Sequence, residues 1–545
     1  MLYKMFEWQG VQDGHGAYGF ERWQKLNPAQ GQYDWAIIDR WLDKQNGKPC
    51  AFSVATHLSS MDGWESFVDC TPEWVYGADR PTLNGRRVGH VVEYTDTNGR
   101  LFHAALPAYE DRTGWWQALR EFMLAFGARY DADPRLTVVF GGPGLDMENN
   151  NTKPPVGDAN TGYRFGQLCT EFIRWLAEAF PTKPAFYVCT TGQGRLEQAK
   201  LAGSLGLGVK NNGLLPDMDS HQGYGVFVGS FDPLAWANEN GVPVWIETAH
   251  WLGKENMYWS IPACLHYHPA GVDVHSGWFD SMPQEQLDFW SRHVGVTAET
   301  APGAFVVLRD SEYPKRTWTQ SGALAGCSGH VGDWEFYMRR LSGDAGSPRV
   351  TNVGPADAPE SRQCRLVTDA TFHVELVAGP PYELSIRYLD EAASISVDVG
   401  DTHIPGHGTG QWVTAKQVIT ARAFRVTSSA GAHIHMLYAT PIVVPEPVPP
   451  DPEPPTPPAP VLDLAVMWAA VDGAQEDIDN ARRECYLADC AIGLASAEIA
   501  NATRALQAAV SQHEEASKQA VAAMETLDLA TGHLADLRAE LEKVS

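Results

Sequence analysis

The sequence predicts an α/β protein whose main domain is a (β/α)8 TIM barrel, followed by a small antiparallel β-sandwich and a C-terminal α-helical coiled coil. Three patterns predict it: alternating apolar strands and amphipathic helices over the first 300 residues, short alternating strands after residue 345, and heptads from Val471 onward. A chain of 545 residues is too long for one hydrophobic core, so several domains are expected.

The barrel is predicted over residues 1–300. Its strand candidates are CAFSVATH (50–57), LTVVFGG (136–142), PAFYVCT (184–190), GLGVKNNG (206–213), VPVWIETA (242–249) and GVDVHSGWF (271–279). Amphipathic segments such as WWQALREFMLAFGARY and GQLCTEFIRWLAEAF lie between them. Uninterrupted apolar strands indicate a parallel sheet covered by helices, and the number of units favours a closed barrel over an open sheet.

Residues 301–344 are predicted to connect the barrel to the next domain, and residues 345–442 to form the β-sandwich. The second region contains YELSIRYLD, SISVDVG, RAFRVTS and HIHMLYA, separated by Gly, Pro and Asp. Alternating short strands with turn residues between them are typical of an antiparallel sandwich. His433 and His435 share one face of a strand, but two ligands are too few for a metal site, so we interpret them as ordinary strand residues.

A proline-rich linker and a coiled coil are predicted for the C-terminal region. Residues 443–460 read VVPEPVPPDPEPPTPPAP, a composition that favours a stiff polyproline II spacer. Within 461–545, eleven unbroken heptads place one column of mostly larger residues beside a column of mostly alanine. A homo-oligomer formed through this coil is expected. A helical hairpin within one chain is the alternative that the pattern leaves open.

The composition excludes some classes of partner. A formal net charge of −26 repels phosphate backbones and anionic lipid heads, so neither nucleic acid nor a membrane surface is an expected partner. No apolar run is long enough to span a membrane, and no signal peptide pattern is visible. The nine cysteines form no metal-binding pattern, and no cofactor or metal is expected. The compartment stays unassigned.

Polar and aromatic residues follow the predicted strands, where (β/α)8 barrels place their chemistry. Glu148 and Glu247 come from different strands, and paired carboxylates are what glycoside hydrolysis requires. In VWIETA, burial of Val244 and Ile246 turns Glu247 toward the strand end. Hydrogen-bonding and stacking side chains suited to a carbohydrate substrate complete the set: His57, Asp146, Asn211, Asn212, Trp251, His275 and Trp278.

Several segments resemble a known enzyme group. GFERWQKLNPAQGQYDWAIIDRWLDK (19–44), TPEWVYG (71–77), the helix 115–136 and the strand ending in GLDME (144–148) are similar to clan A glycoside hydrolases of the β-galactosidase family 42 type and their relatives. The resemblance covers roughly residues 1–440 as an architecture, through short motifs. It implies a retaining mechanism, with an acid/base after the fourth barrel strand and a nucleophile at the end of the seventh.

Transferred to this sequence, the resemblance makes Glu148 the acid/base candidate and Glu247 the nucleophile candidate. It implies that Trp278, on the last strand, floors a sugar subsite, and that Asp146 supports the site or contacts a sugar hydroxyl. Met147 stands where the family has Asn, and Asn27 where it has Glu. A retaining pair is expected about 5–5.5 Å apart. The alternative is a non-catalytic carbohydrate-binding head on an oligomerising fibre, such as a virion appendage.

Overall fold

A computed structural model describes residues 1–5, 15–59, 67–95, 101–148, 159–190, 194–214, 232–248, 254–308, 333–350, 363–391, 395–397 and 402–442. The predicted proline-rich linker and coiled coil lie outside these residues. Over the described part of the chain, no helix is long and apolar enough to cross a membrane.

Eight parallel strands form a closed barrel, which confirms the predicted barrel over an open sheet. Each strand pairs with its neighbours in the sequence, and the last pairs with the first. The strands are β1 Leu2–Met5, β2 Gly16–Arg22, β3 Cys50–Ala55, β4 Leu136–Gly141, β5 Ala185–Val188, β6 Gly208–Leu214, β7 Val244–Thr248 and β8 Gly271–Val274. All of their carboxyl ends therefore meet at one end of the barrel, called here the mouth.

Helices alternate with the strands and cover the outside. They are α1 Trp23–Leu26, α2 Ala36–Lys44, α3 Trp115–Tyr130, α4 Ala159–Ala179, α5 Arg195–Ser204, α6 Asp232–Glu239, α7 Lys254–His266, α8 Ser276–Phe279 and α9 Gln284–His293. The two amphipathic segments quoted from the sequence form α3 and most of α4. Leu119, Phe122 and Phe126 recur every three or four residues on α3, so one face of the helix packs into the core.

The described residues between β3 and α3 form three short antiparallel hairpins and one 3-10 turn. The hairpins pair His57–Leu58 with Val68–Asp69, Thr82–Leu83 with Arg86–Arg87, and His90–Thr95 with Leu101–Leu106, and the turn is Glu73–Val75. The segment also touches the loop after β4, because His57 forms an isolated bridge with Leu145. It thus supports one side of the mouth.

Aromatic rings fill the inside of the barrel, and glycines on adjacent strands make room for them. Tyr3 lies opposite Gly16, and Trp245 opposite Gly271. A Cβ atom on Gly271 would lie 2.2 Å from the Trp245 ring. Phe186 and Gly208 form a third such pair. Large and small residues therefore alternate around the barrel, which packs the interior below the mouth.

Two predicted strands differ from the structure. The strand predicted over 271–279 ends at Val274, because His275 accepts a hydrogen bond from the Gly277 amide and caps α8. The strand predicted over 50–57 ends at Ala55, and His57 begins a hairpin. An apolar run that crosses from strand to helix keeps its hydrophobicity, so composition alone does not mark the boundary.

A nine-stranded antiparallel sheet follows the barrel. Its strands are β9 Ala304–Val307, β10 Trp334–Phe336, β11 Met338–Val350, β12 Gln363–Val374, β13 Tyr382–Leu389, β14 Ile395–Val397, β15 Thr402–Ile404, β16 Trp412–Ile419 and β17 Ala423–Pro441. The long β17 pairs with β9, β12, β13 and β14. The sheet therefore begins inside 301–344, the region predicted as a connection, because β17 pairs with β9 across more than a hundred residues of sequence.

Candidate active site

Glu148 reaches the mouth on a tight turn that follows β4. The Glu148 amide donates to the Leu145 carbonyl at 3.0 Å, and the Gly144 amide donates to the Glu148 carbonyl at 3.0 Å. Asp146 and Met147 both take left-handed backbone conformations, with φ of 52° and 60°. Such conformations cost on the order of 1–3 kcal/mol for non-glycine residues and concentrate at functional sites.

Glu247 lies on β7 and points into the barrel near the mouth. Its position follows from strand alternation: Trp245 packs inside the barrel, whereas Val244 and Ile246 pack outside against the helices. Val244 and Ile246 are buried against the helices, and alternation places Glu247 on the same inner face as Trp245. The Glu247 side chain is 17% exposed, so it is reachable from the mouth.

Lys210 on β6 lies beneath Glu247 and contacts two carboxylates. Its ammonium donates to Glu247 Oε2 at 2.5 Å and lies 3.2 Å from Asp273 Oδ2 on β8. Lys210 and Asp273 are 1% and 0% exposed, so this is a buried ionic cluster. The Trp245 indole donates to the other Asp273 oxygen at 2.9 Å, which fixes the direction of that carboxyl.

Asn212 connects the cluster to Glu148. The Lys210 ammonium donates to Asn212 Oδ1, and Asn212 Nδ2 donates to Glu148 Oε1 at 3.2 Å. The Asn212 backbone amide is held in turn by Thr190 Oγ1 at 3.0 Å. Glu148 and Glu247 are therefore joined by one continuous chain of hydrogen bonds through Asn212 and Lys210.

Burial and the neighbouring charges shift the pKa values of Lys210 and Asp273. Burial raises the pKa of Asp273 most, Lys210 opposes that rise and the Glu247 carboxylate adds to it, and the net pKa is about 7. Burial lowers the pKa of Lys210, but Glu247 and Asp273 raise it more, and the net shift is upward. Lys210 is therefore a cation at neutral pH.

The Lys210 ammonium also lies near two aromatic rings. It lies 5.1 Å from the centre of the Phe140 ring and 5.7 Å from that of Tyr18. Cation–π contacts of this length stabilise a desolvated ammonium. Burial, followed by Glu247 and Asp273, raises the pKa of Tyr18 well above its ordinary value, so the phenol stays neutral.

Asp146 and the His57 backbone connect the turn after β4 to the hairpin after β3. Asp146 Oδ1 accepts from the Ser59 amide at 2.8 Å, and the Asp146 amide donates to the His57 carbonyl at 2.9 Å. His57 was predicted to contact substrate, but its side chain is fully buried, with Nδ1 3.0 Å from the Tyr109 hydroxyl. It faces this interior because His57 belongs to a hairpin rather than to the end of β3.

Of the other predicted substrate-binding residues, His275 lies near the mouth, whereas Asn211 and Trp278 face away from it. His275 lies at the end of β8, where its amide donates to Thr248 Oγ1 at 2.9 Å. Asn211 is fully buried and faces away from the barrel interior, since its neighbours Lys210 and Asn212 face inward. Trp278 lies on α8 rather than on the last strand, in the outer hydrophobic core. Trp251 lies outside the described residues.

Lys210 and Asp273 were not predicted from the sequence, although a signal for them exists. Lys210 stands two residues before Asn212 in GVKNN, and Asp273 stands two residues before His275 in GVDVH. Each shares the face of a residue predicted to reach the mouth. A charged residue at an inward position of a buried strand needs a partner, and two such strands predict an ionic pair.

Comparisons with known proteins give structural likeness only. No protein-family model matches the sequence, and no curated protein sequence matches it. The catalytic domain of a β-amylase from Paenibacillus polymyxa is similar with a TM-score of 0.36 and 11% identity, over 54% of this chain and 97% of that one. A family 30 xylanase from Clostridium acetobutylicum has a TM-score of 0.31 and 11% identity, over 80% and 95% of the two chains.

A β-glucuronidase from Bacteroides uniformis is a third similar structure. Its TM-score is 0.23 at 11% identity, over 78% of this chain and 65% of that one. The activities named belong to those proteins.

Proposed function

We propose that this chain is a retaining glycoside hydrolase in which Glu148 is the acid/base and Glu247 is the nucleophile. One observation carries the proposal. Two carboxylates from β4 and β7 reach the mouth of a closed barrel and are joined by the hydrogen bonds of Asn212 and Lys210. Paired carboxyl groups, one acting as acid/base and the other as nucleophile, are what most retaining glycosidases use to cleave a glycosidic bond.

In the first step, Glu148 gives its proton to the leaving oxygen as the bond to the anomeric carbon breaks. Glu247 attacks that carbon and forms a glycosyl ester. Lys210 contacts Glu247 Oε2, so we assign the attack to Oε1. Asn212 contacts Glu148 Oε1, so we assign the transferred proton to Oε2.

In the second step, Glu148 accepts a proton from water as the water attacks the anomeric carbon. The ester bond breaks, the Glu247 carboxylate is regenerated, and the sugar leaves with its original configuration. The mouth suits this exchange, because the Glu247 side chain is partly exposed while the ionic cluster beneath it is closed to water.

The proposal is tested by screening hydrolysis of 4-nitrophenyl glycosides of galactose, glucose, xylose and glucuronic acid in both anomers. Wild type is expected to hydrolyse at least one. Glu148→Gln and Glu247→Gln are each expected to lower kcat by about 10³-fold or more, since each removes one of the two groups that act on the bond.

Glu197→Gln is the matched control, because Glu197 is exposed on α5 and pairs with Lys200. It is expected to keep the wild-type rate, and circular dichroism of all variants checks the fold. Full activity in either site variant contradicts the assignment. Binding of glycans by wild type without any turnover would instead indicate the carbohydrate-binding head.

A further inference from the structure

We infer that Lys210 is a positioning residue that holds Glu247 ionised and aimed at the mouth, and that sets the contact between Asn212 and Glu148. The inference rests on the proposed function and adds a residue to it. It stands on the geometry of four side chains: Lys210, Asn212, Glu247 and Asp273.

The first part concerns charge. Lys210 is 1% exposed, so its ammonium is stable there only with carboxylate partners. Its contact with Glu247 is 2.5 Å, shorter than the 3.2 Å to Asp273. Asp273 is fully buried and bonded to the Trp245 indole, so Glu247 is the partner of Lys210 that is reachable from the mouth. A nucleophile must be ionised to attack, and the buried cation favours that state.

The second part concerns the Asn212 amide. An ammonium has only donors, so the Asn212 group that faces Lys210 must be its carbonyl oxygen. The amide NH2 is then forced to point the other way, at Glu148. Lys210 therefore sets the orientation of Asn212, and through it the donor that Glu148 meets. One buried cation thus fixes a contact to each carboxyl of the proposed pair.

Among the described residues, the titratable groups around Glu247 lie on several elements. They are Lys210 on β6, Asp273 on β8 and Tyr18 on β2, with Glu148 reached through Asn212. Tyr18 stays neutral, so Lys210 is the cation in direct contact with Glu247 in this group.

The experiment compares pH profiles of wild type and Lys210→Met on the substrate found by the glycoside screen. Methionine keeps most of the length of lysine and removes its charge. We expect kcat to fall about 10-fold to 100-fold with a smaller change in KM, because the geometry of the reacting groups is disturbed. The acidic limb of kcat/KM is expected to move up by about one pH unit or more.

Lys210→Met leaves the Glu247 and Asp273 carboxylates side by side without a cation. A double variant therefore separates the loss of positioning from the loss of charge balance. In Lys210→Met/Asp273→Asn the buried repulsion is removed, and the chain is expected to fold while kcat and the acidic limb stay altered. Recovery of the wild-type rate and profile in the double variant overturns the inference, because Lys210 would then only neutralise Asp273. Lys200→Met, on the exposed face of α5, is the matched control and is expected to behave as wild type.

A second measurement does not depend on turnover. In protein labelled with [5-¹³C]glutamate, the Glu247 carboxyl resonance is assigned by its loss in Glu247→Gln, and its pH midpoint is measured. The midpoint is expected to rise by about one pH unit or more when Lys210 is replaced in either variant. An unchanged midpoint overturns the inference. If wild type hydrolyses none of the glycosides and the midpoint still rises, the proposed function fails while the control of Glu247 by Lys210 stands.

Discussion

At the scale of residues, the site depends on side chains whose direction is set by strand alternation. Asn211 and Asn212 are chemically identical neighbours, yet only Asn212 faces the barrel interior and reaches Glu148. Glu247 could be placed by the same alternation, because apolar residues flank Trp245 and identify the outer face. In GVKNN the apolar marker is Val209, which packs in the outer core and by alternation places Asn211 outside and Asn212 inside, although the prediction placed both at the mouth.

The turn before Glu148 is a second feature of the site that the sequence does not fully specify. Its two consecutive left-handed residues are Asp146 and Met147, not glycine, and the turn is closed by backbone hydrogen bonds. Gly142 allows the turn to fold back, since a Cβ atom there would lie 2.3 Å from the Met147 carbonyl oxygen. The sequence GGPGLDME indicates a turn, but it does not specify which residues take the strained conformation.

At the scale of elements, matching of glycine to aromatic residues keeps the strands in register around the site. Gly271 on β8 accommodates Trp245 on β7, and the same indole donates to Asp273. The apolar character of these strands predicts a barrel, whereas the pairing of one glycine with one ring depends on the register, which only the closed sheet defines.

Replacing Gly271 by alanine is expected to destabilise the fold by about 1–3 kcal/mol. The added Cβ atom would overlap the Trp245 ring, which must shift and weaken its hydrogen bond to Asp273. Urea unfolding of the purified variant measures the change. Gly166→Ala on α4 is the matched control: nothing lies within 4 Å of its added Cβ atom. Alanine also favours a helix by about 1 kcal/mol over glycine. Equal midpoints for both variants would contradict the proposed packing.

At the scale of the whole molecule, the barrel and the antiparallel sheet share an aromatic contact that contains two histidines. His268 stacks on Phe336 of β10, with ring centres 5.2 Å apart, and His293 at the end of α9 lies 3.2 Å from the Tyr438 hydroxyl. The sequence patterns of residues 1–300 and 345–442 predict the barrel and the sheet separately. Their joint core was not predicted, because it joins residues that are far apart in sequence.

This contact is expected to weaken in acid. Burial lowers the pKa of both His268 and His293 to about 4, so both are neutral in the folded protein at neutral pH. The unfolded chain binds these protons near pH 6.5, so their contribution to stability is complete above that value and is lost as pH falls toward 4. Each histidine contributes up to about 3 kcal/mol of this dependence.

Urea unfolding at pH 4.5, 5.5 and 7 measures the loss. In His268→Phe, the difference in stability between pH 7 and pH 4.5 is expected to shrink relative to wild type, because one titrating group is removed while the others cancel in the comparison. A difference as large as that of wild type would show that His268 is not the responsible group.

The central claim is that Glu247 attacks the sugar and Glu148 transfers the proton, and rescue by azide tests it most directly. Glu247→Ala and Glu148→Ala are each incubated with azide and an activated aryl glycoside that wild type hydrolyses, and NMR gives the anomeric configuration of the product. We expect Glu247→Ala to yield a glycosyl azide of inverted configuration, since azide replaces the nucleophile, and Glu148→Ala to yield one of retained configuration. The reverse pattern, or no azide product from Glu247→Ala, would contradict the account.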